Sequence, residues 1–243
     1  MRLDMRRAGS RGRPSRPLTR AGTVRRVPEV PQPFKPRLRG VFHQWACAGS
    51  VPLAVVLLIV AGTTRARIAF AVYSVSLVAL FGVSALYHRI SWRSLTGRDW
   101  MRRIDHSMIF VMIAGSYTPF ALLVLHGPLA LALLVAVWAG ALLGVVFNLL
   151  WRDTPTWLRS ALYVGLGWTA LAALPQLGPA LGLWGVTLLG LGGVLYTLGA
   201  LVYAGRRPDP APAVFGYHEV FHTLVIAAAV LQYAVIAFWI APD

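Results

Sequence analysis

From Val41 onward, apolar runs alternate with short polar breaks, and the runs fall near residues 42–61, 68–87, 104–125, 128–150, 158–174, 182–203 and 218–240. An α-helix needs roughly 17–25 such residues, at about 1.5 Å each, to cross about 30 Å of hydrocarbon. The pattern predicts seven transmembrane helices forming one domain over residues 41–243. The fifth run is the shortest, because Pro175 and the Gly178-Pro179 pair close it early. No internal repeat is evident, and the polar residues gather at the ends of the runs.

Composition agrees with this pattern. Of 243 residues, 57% are hydrophobic and 13% charged, and the mean hydropathy is +0.64. These values define an all-α integral membrane protein and exclude a water-soluble fold. Cys47 is the single cysteine, so an internal disulfide and a thiolate-rich metal site are both excluded. Any metal must be held by imidazole and carboxylate groups, and Cys47, in an apolar helix, reads as a small packing residue.

The net charge of +15 is concentrated at the cytoplasmic loops and at one end of the chain. Residues 1–40 hold 11 Arg and Lys35 against Asp4 and Glu29, with six prolines between Pro14 and Pro36. This composition predicts a disordered cytosolic tail whose partners are anionic lipid headgroups, in preference to a transit peptide or a nucleic-acid-binding arm. The first long apolar run begins only near Val41, so no cleavable signal peptide is predicted. Arginines mark the loops 88–103, 151–159 and 204–217, whereas the alternate loops hold only Arg65 and Arg67. The positive-inside rule then predicts a cytoplasmic N-terminus and an extracytoplasmic C-terminus in a multi-pass protein of the cell membrane.

That orientation gathers the unusual polar residues at one leaflet. The second span ends "VSALYHRI", with Ser84 and His88; the third begins "RRIDHSMIF", with Asp105 and His106; the seventh begins with His218 and His222. Residues four apart on a helix lie about 40° apart around it, so His218 and His222 look in one direction and can grip one ion. A third histidine from another helix completes the three protein ligands typical of a catalytic zinc with one position open. Ionisable groups at membrane depth are costly, which makes the set a candidate functional site. His43 and His126 have no polar partner at helical spacing and read as interfacial or helix-capping groups. His106 points about 100° away from Asp105 and reads as a residue behind the site or facing a loop. Asp105 is either a site carboxylate or a helix cap paired with Arg102 or Arg103, and Ser84 is either a site hydroxyl or bonded back to its own helix.

The stretch "HEVFH", residues 218–222, has the H-E-x-x-H spacing of a zinc protease. Such an enzyme takes its third ligand downstream, and downstream of His222 there is no His or Glu and only the terminal Asp243. Glu219 is therefore expected to turn toward Arg206, Arg207 or the helix dipole instead of serving as a base.

The segments "FGVSALYHRISW", "RRIDHSMIFVMIAGSYTPFAL" and "GYHEVFHTLVIAAAVLQY" resemble the three signature segments of the bacterial hemolysin III family, relatives of the adiponectin and progestin receptors and, more remotely, of the alkaline ceramidases. The resemblance covers residues 40–240 and leaves the basic tail unmatched. It implies a seven-helix bundle with a zinc near the cytoplasmic face. By position, His88, His218 and His222 match the zinc ligands, Asp105 the acid that holds or activates the zinc-bound water, and Ser84 the serine preceding the first ligand. It gives His106 no ligand role. The chemistry so implied is attack of a zinc-activated water, deprotonated by Asp105, on the carbonyl of a lipid amide or ester, with Ser84 orienting the water or donating to the oxyanion. The protein is thus expected to act in membrane lipid homeostasis with a membrane lipid as substrate. A zinc-stabilised membrane sensor without turnover is the alternative, and a pore-forming cytolysin is weaker because no polar stripe runs along the spans.

Overall fold

The computed structural model describes residues 35–151 and 153–241. The described residues are helical between short connections, with one isolated bridge between Ala211 and Phe215 as their only extended pairing. The helices are α1 (Val41–Val60), α2 (Thr64–Arg89), α3 (Leu95–Pro119), α4 (Gly127–Leu150), α5 (Thr156–Gly167), α6 (Leu174–Gly205) and α7 (Tyr217–Val235). π-Helical turns at Phe120–Val124 and Ile236–Ile240 extend α3 and α7. Residues 1–34, where most of the basic tail falls, lie outside the described residues.

Local chemistry explains where the helices begin. The Thr63 hydroxyl accepts from the Ala66 N–H (3.1 Å) and the Ser94 hydroxyl from the Gly97 N–H (3.3 Å), capping α2 and α3. At the start of α7 the Glu219 carboxylate reaches back to accept the Gly216 N–H at 2.9 Å, one half of a capping box. Consecutive helices pack on one another, α1 on α2, α2 on α3, α3 on α4 and α6 on α7. Phe70, Tyr73, Phe110 and Val137 are buried between them, while Leu143, Leu183, Trp184 and Phe238 are exposed on the outside. An apolar exterior around a closed set of backbone hydrogen bonds is the arrangement a bilayer requires.

Among the described residues, six helices are long and apolar enough to cross a membrane. One of them differs from the sequence expectation. The expected break at Pro175 and Gly178-Pro179 falls a few residues later: helical structure runs from Thr156 through α5 and the 3₁₀ turn Trp168–Ala173 to Leu181, and a second helical stretch follows a kink and runs to Gly205. Pro175 sits at the first turn of α6, the one part of a helix that tolerates a missing N–H. The non-helical backbone falls instead at Gly182, with φ 60° and ψ −176°.

Two features position the site. The first is a seam between α6 and α7, where Gly185, Gly192 and Gly199 recur every seventh residue of α6. A Cβ on Gly192 would lie 3.5 Å from the Ala228 carbonyl oxygen, and one on Gly199 would lie 3.4 Å from the Phe221 ring. Small residues at such spacing let two membrane helices approach closely without polar contacts. The second is a strap over residues 35–40. Arg37 N–H donates to the Ala213 carbonyl and Leu38 N–H to the Val214 carbonyl, each at 3.1 Å, tying the approach to α1 to the approach to α7. The strap ends at Gly40, whose φ of 78° is left-handed and whose added Cβ would lie 2.5 Å from the Cβ of His88. Only glycine fits there.

Candidate metal centre and its cavity

The last turn of α2 carries His88, and the first two turns of α7 carry His218 and His222. All three are buried, and each offers a ring nitrogen within 4.8 Å of those of the other two. His88 Nε2 and His218 Nε2 are 3.1 Å apart. Two ligands of a tetrahedral ion at about 2.0–2.1 Å lie about 3.3 Å from each other, so the pair has the spacing of nitrogens sharing one metal. The rings meet edge to face, with centroids 4.7 Å apart for His88–His218, 4.5 Å for His218–His222 and 5.2 Å for His88–His222. These three histidines can hold a metal ion. Imidazole donors without thiolate suit a borderline ion such as zinc.

Asp105 sits on α3 with Oδ2 3.9 Å from His88 Nε2, and the Ser84 hydroxyl, one turn before His88, lies beside its carboxylate. Both are buried. The ion pair considered from sequence for Asp105 is taken by Asp99, which pairs with Arg102 at 3.1 Å and Arg103 at 3.7 Å. Asp105 is thereby left facing the histidines. Glu219 takes part in the helix terminus as expected, but its arginine partner is Arg39 of the strap, not Arg206 or Arg207, which are exposed. Arg39 comes from a segment far away in sequence, so no local spacing announces it.

The structure also brings in residues that sequence reasoning left aside. His43, read as interfacial, is buried in α1 with its ring stacked on His222 (centroids 3.7 Å, planes 10° apart). Parallel stacking directs the nitrogen lone pairs of the two rings into separate planes, so the pair does not aim at one point, and His43 packs against the face of the His222 ring. His126 caps α4 at the other end of the bundle, exchanging backbone hydrogen bonds with the Gln176 side chain. His106 stands apart from the cluster. Its Nδ1 is 3.0 Å from Arg159 Nη1, its Nε2 is 3.0 Å from the Tyr203 hydroxyl, and its carbonyl accepts from the Tyr163 hydroxyl at 2.8 Å. Tyr203, on α6, also meets the His218 ring at 5.6 Å between centroids.

Several of these groups line one end of a cavity of about 360 Å³. His43, Ser84, Asp105, His218 and His222 line that end, with His106 and Tyr203 beside them, and the lining then runs through Met112, Phe120, Leu133 and Leu177 among other apolar side chains. A polar, metal-capable head joined to an apolar body suits an amphiphile with one reactive group.

Residues 32–233 match the family described as Haemolysin-III related, and the chain belongs to that family. It is a multi-pass protein of the cell membrane. Among its relatives, the "Hemolysin-3 homolog" of Bacillus subtilis (strain 168) is 33% identical over 193 residues, 78% of this chain and 87% of the relative. The "Hemolysin-3" of Bacillus cereus is 32% identical over 196 residues, 79% of this chain and 86% of the relative. The "Adiponectin receptor protein" of Drosophila melanogaster is 28% identical over 196 residues, 70% of this chain and 42% of that longer protein.

Proposed function

We propose that the protein is a zinc-dependent hydrolase of a lipid amide or ester, acting in membrane lipid homeostasis. The observation that carries this reading is the cavity, which joins His218 and His222 of the buried histidine cluster, one carboxylate and one hydroxyl to an apolar chamber. An acyl chain fits the chamber, and its carbonyl group then meets the cluster. Peptide substrates would leave backbone polar groups unpaired against that lining.

His88, His218 and His222 would hold the zinc. Zinc bound by three imidazoles polarises a carbonyl and brings a water toward ionisation near neutral pH. Asp105 is the residue placed to accept the proton of the attacking water, being the carboxylate that faces the histidines. Ser84 keeps that carboxylate oriented from the preceding turn of α2. His43 holds the His222 ring by stacking. The apolar walls exclude bulk water, which strengthens each electrostatic contact inside.

The same reading has the chain cross the membrane seven times, with the histidine cluster toward the cytoplasm. The 50 residues of Thr156–Gly205 would span about 75 Å as one straight helix, over twice the hydrocarbon thickness. A reversal at Gly182 divides them into two crossings, supported by the packing of α5 against α6. The arginines of the even connections then face the cytoplasm, and the basic tail lies against anionic headgroups.

Metal analysis and lipid turnover on the purified protein test the chemistry together. The expected result is about one zinc per chain, lost in His88→Ala, with Asp105→Asn retaining zinc and losing hydrolysis of long-chain ceramides and esters. A protein in which Asp105→Asn leaves both the lipid profile of cells and in vitro turnover unchanged has a metal that only ties α2 to α7, and the hydrolase reading fails. A reporter fused after Asp243 should be extracytoplasmic and one in the 88–103 loop cytoplasmic.

A further inference from the structure

The end of the bundle that carries the histidine cluster also gathers positive charge from three separate segments. Lys35 belongs to the strap, Arg89 closes α2 directly after His88, and Arg98 lies near the start of α3. The fold brings their side chains together. The Arg89 stem packs over Gly40, its Cγ and Cδ lying 3.4 and 3.5 Å from where a Cβ on that glycine would sit. Arg98 lies beside the hydroxyl of Tyr87, which comes shortly before Arg89 on α2. Lys35 feels both arginines: partial loss of hydration, and then the charges of Arg89, Arg39 and Arg98, lower its pKa.

The acidic groups that adjoin these segments are engaged elsewhere. Arg39 takes the Glu219 carboxylate, and Arg102 and Arg103 share Asp99. Among the described residues, Lys35, Arg89 and Arg98 make no ion pair. Membrane topology asks that basic residues lie in these connections, but it does not ask that residues far apart in sequence converge. Like charges held together raise the energy of the fold, and a cation near the start of a helix also opposes the helix dipole. A bound anion with several acceptor oxygens relieves both. Phosphate offers those oxygens to two forked guanidinium groups and an ammonium at once. The flanking Leu86, Ile90 and Leu95 are apolar and exposed. Charge for a headgroup, bordered by apolar surface for a chain, suits a phospholipid better than a free phosphate.

We propose that Lys35, Arg89 and Arg98 bind the phosphate of an anionic phospholipid in the leaflet at this end of the bundle, and that the bound headgroup ties the strap to the turn between α2 and α3. The strap is already bonded to the approach to α7 through the Ala213 and Val214 carbonyls, and it seats Gly40 against His88. The lipid completes its attachment on the α2 side. This site is distinct from the cavity and holds whether or not a lipid is turned over there. It differs from a general attraction of the basic tail, because Arg89 and Arg98 lie outside that tail at fixed positions on helices.

The test is lipid binding by the full-length protein in uncharged dodecylmaltoside micelles, titrated with dioleoylphosphatidylglycerol, dioleoylphosphatidylcholine or glycerol phosphate. Bound lipid is counted by native mass spectrometry, and the melting temperature is recorded beside it. Phosphatidylglycerol should be retained and should raise the melting temperature, and phosphatidylcholine should do neither. Lys35→Gln, Arg89→Gln and Arg98→Gln should each weaken phosphatidylglycerol binding about fivefold, which is about 1 kcal/mol for one basic group near an anionic surface. Arg93→Gln combined with Arg207→Gln removes two exposed cations at the same end of the bundle and should leave binding unchanged. Without anionic lipid, Lys35→Gln should melt no lower than the unmodified protein, because it relieves a repulsion; a fall there refutes the repulsion on which the site rests. Equal weakening in the Arg93 and Arg207 control overturns the inference, since the attraction then belongs to the basic loops as a whole. Stabilisation by glycerol phosphate that matches phosphatidylglycerol makes the ligand a soluble phosphate and overturns the lipid assignment. Failure of phosphatidylglycerol to bind the unmodified protein overturns the site altogether, and leaves the hydrolase reading untouched.

Discussion

Replacing Arg39 by Met should destabilise the protein far more than the loss of a surface ion pair would. Glu219 is fully buried, and Arg39 keeps 20% of its side chain exposed while reaching its carboxylate. Taking one partner from a buried pair typically costs about 3–5 kcal/mol, because the other charge stays behind uncompensated. The Gly216 N–H still serves Glu219 at 2.9 Å, and the partial exposure of Arg39 lowers the pair's worth, so about 3 kcal/mol is expected. That corresponds to roughly a 150-fold change in the unfolding equilibrium. The assay is thermal unfolding of detergent-purified protein for Arg39→Met, Glu219→Gln and the double variant. Each single variant should be strongly destabilised, and the double variant should cost less than their sum, because it leaves neither charge alone. Zinc content should fall alongside stability, since Glu219 adjoins His218 and the strap bearing Arg39 ends against His88. Single-variant losses under about 1 kcal/mol that simply add, as exposed pairs do, would refute the reasoning and reopen a chemical role for Glu219.

Gly40→Ala changes no ligand, yet should lower both zinc content and melting temperature. The left-handed backbone costs a non-glycine residue about 1–2 kcal/mol, and the new Cβ would press on His88 at 2.5 Å; unchanged metal content by mass spectrometry would contradict this. His43→Phe preserves a stacked ring beneath His222 and should retain zinc, while His43→Ala should lose part of it. Equal and complete loss in both would make His43 a ligand. Gly192→Leu puts a branched side chain where the Ala228 carbonyl lies 3.5 Å from a single Cβ, and overpacking of about 1–3 kcal/mol should appear as a lower melting temperature.

What the sequence made legible follows from the range of each signal. Helices declare themselves over their own length, so the apolar runs located α1, α2, α4 and α7 to within a few residues, while α3 starts nine residues before its apolar run, at Leu95, because its first turns are polar. His218 and His222 are a local pair, and His88 stands at the matching end of another run, which was enough to group the three. Pro175 and Gly178-Pro179 mark a break by propensity, but Pro175 occupies a position where proline is harmless, and the kink between the two helices falls a few residues later, at Gly182. The residues that escaped notice are those whose partners lie far along the chain. Arg39 and Glu219 are 180 positions apart, and His106 and Tyr203 are 97 apart. His43 looks like any isolated polar residue at a helix end until α7 lies beside it. No periodicity encodes such meetings, and only the folded packing of α1, α6 and α7 creates them.

The division of the histidines between α2 and α7 has a temporal side. His88 and His218 are 130 residues apart, and at about 5–20 residues per second a ribosome needs roughly 6–26 s to go from one to the other. During that interval the emerging chain offers His88 alone, together with an Asp105 that has nothing to hold. On the proposed reading, a nascent chain in the translocon would have little grip on an ion, and retention would begin only when the last helix packs along the glycine seam of α6. Metal acquisition would then be a quality-control event: an ion firmly held would certify that insertion has finished and that α2 and α7 have found each other.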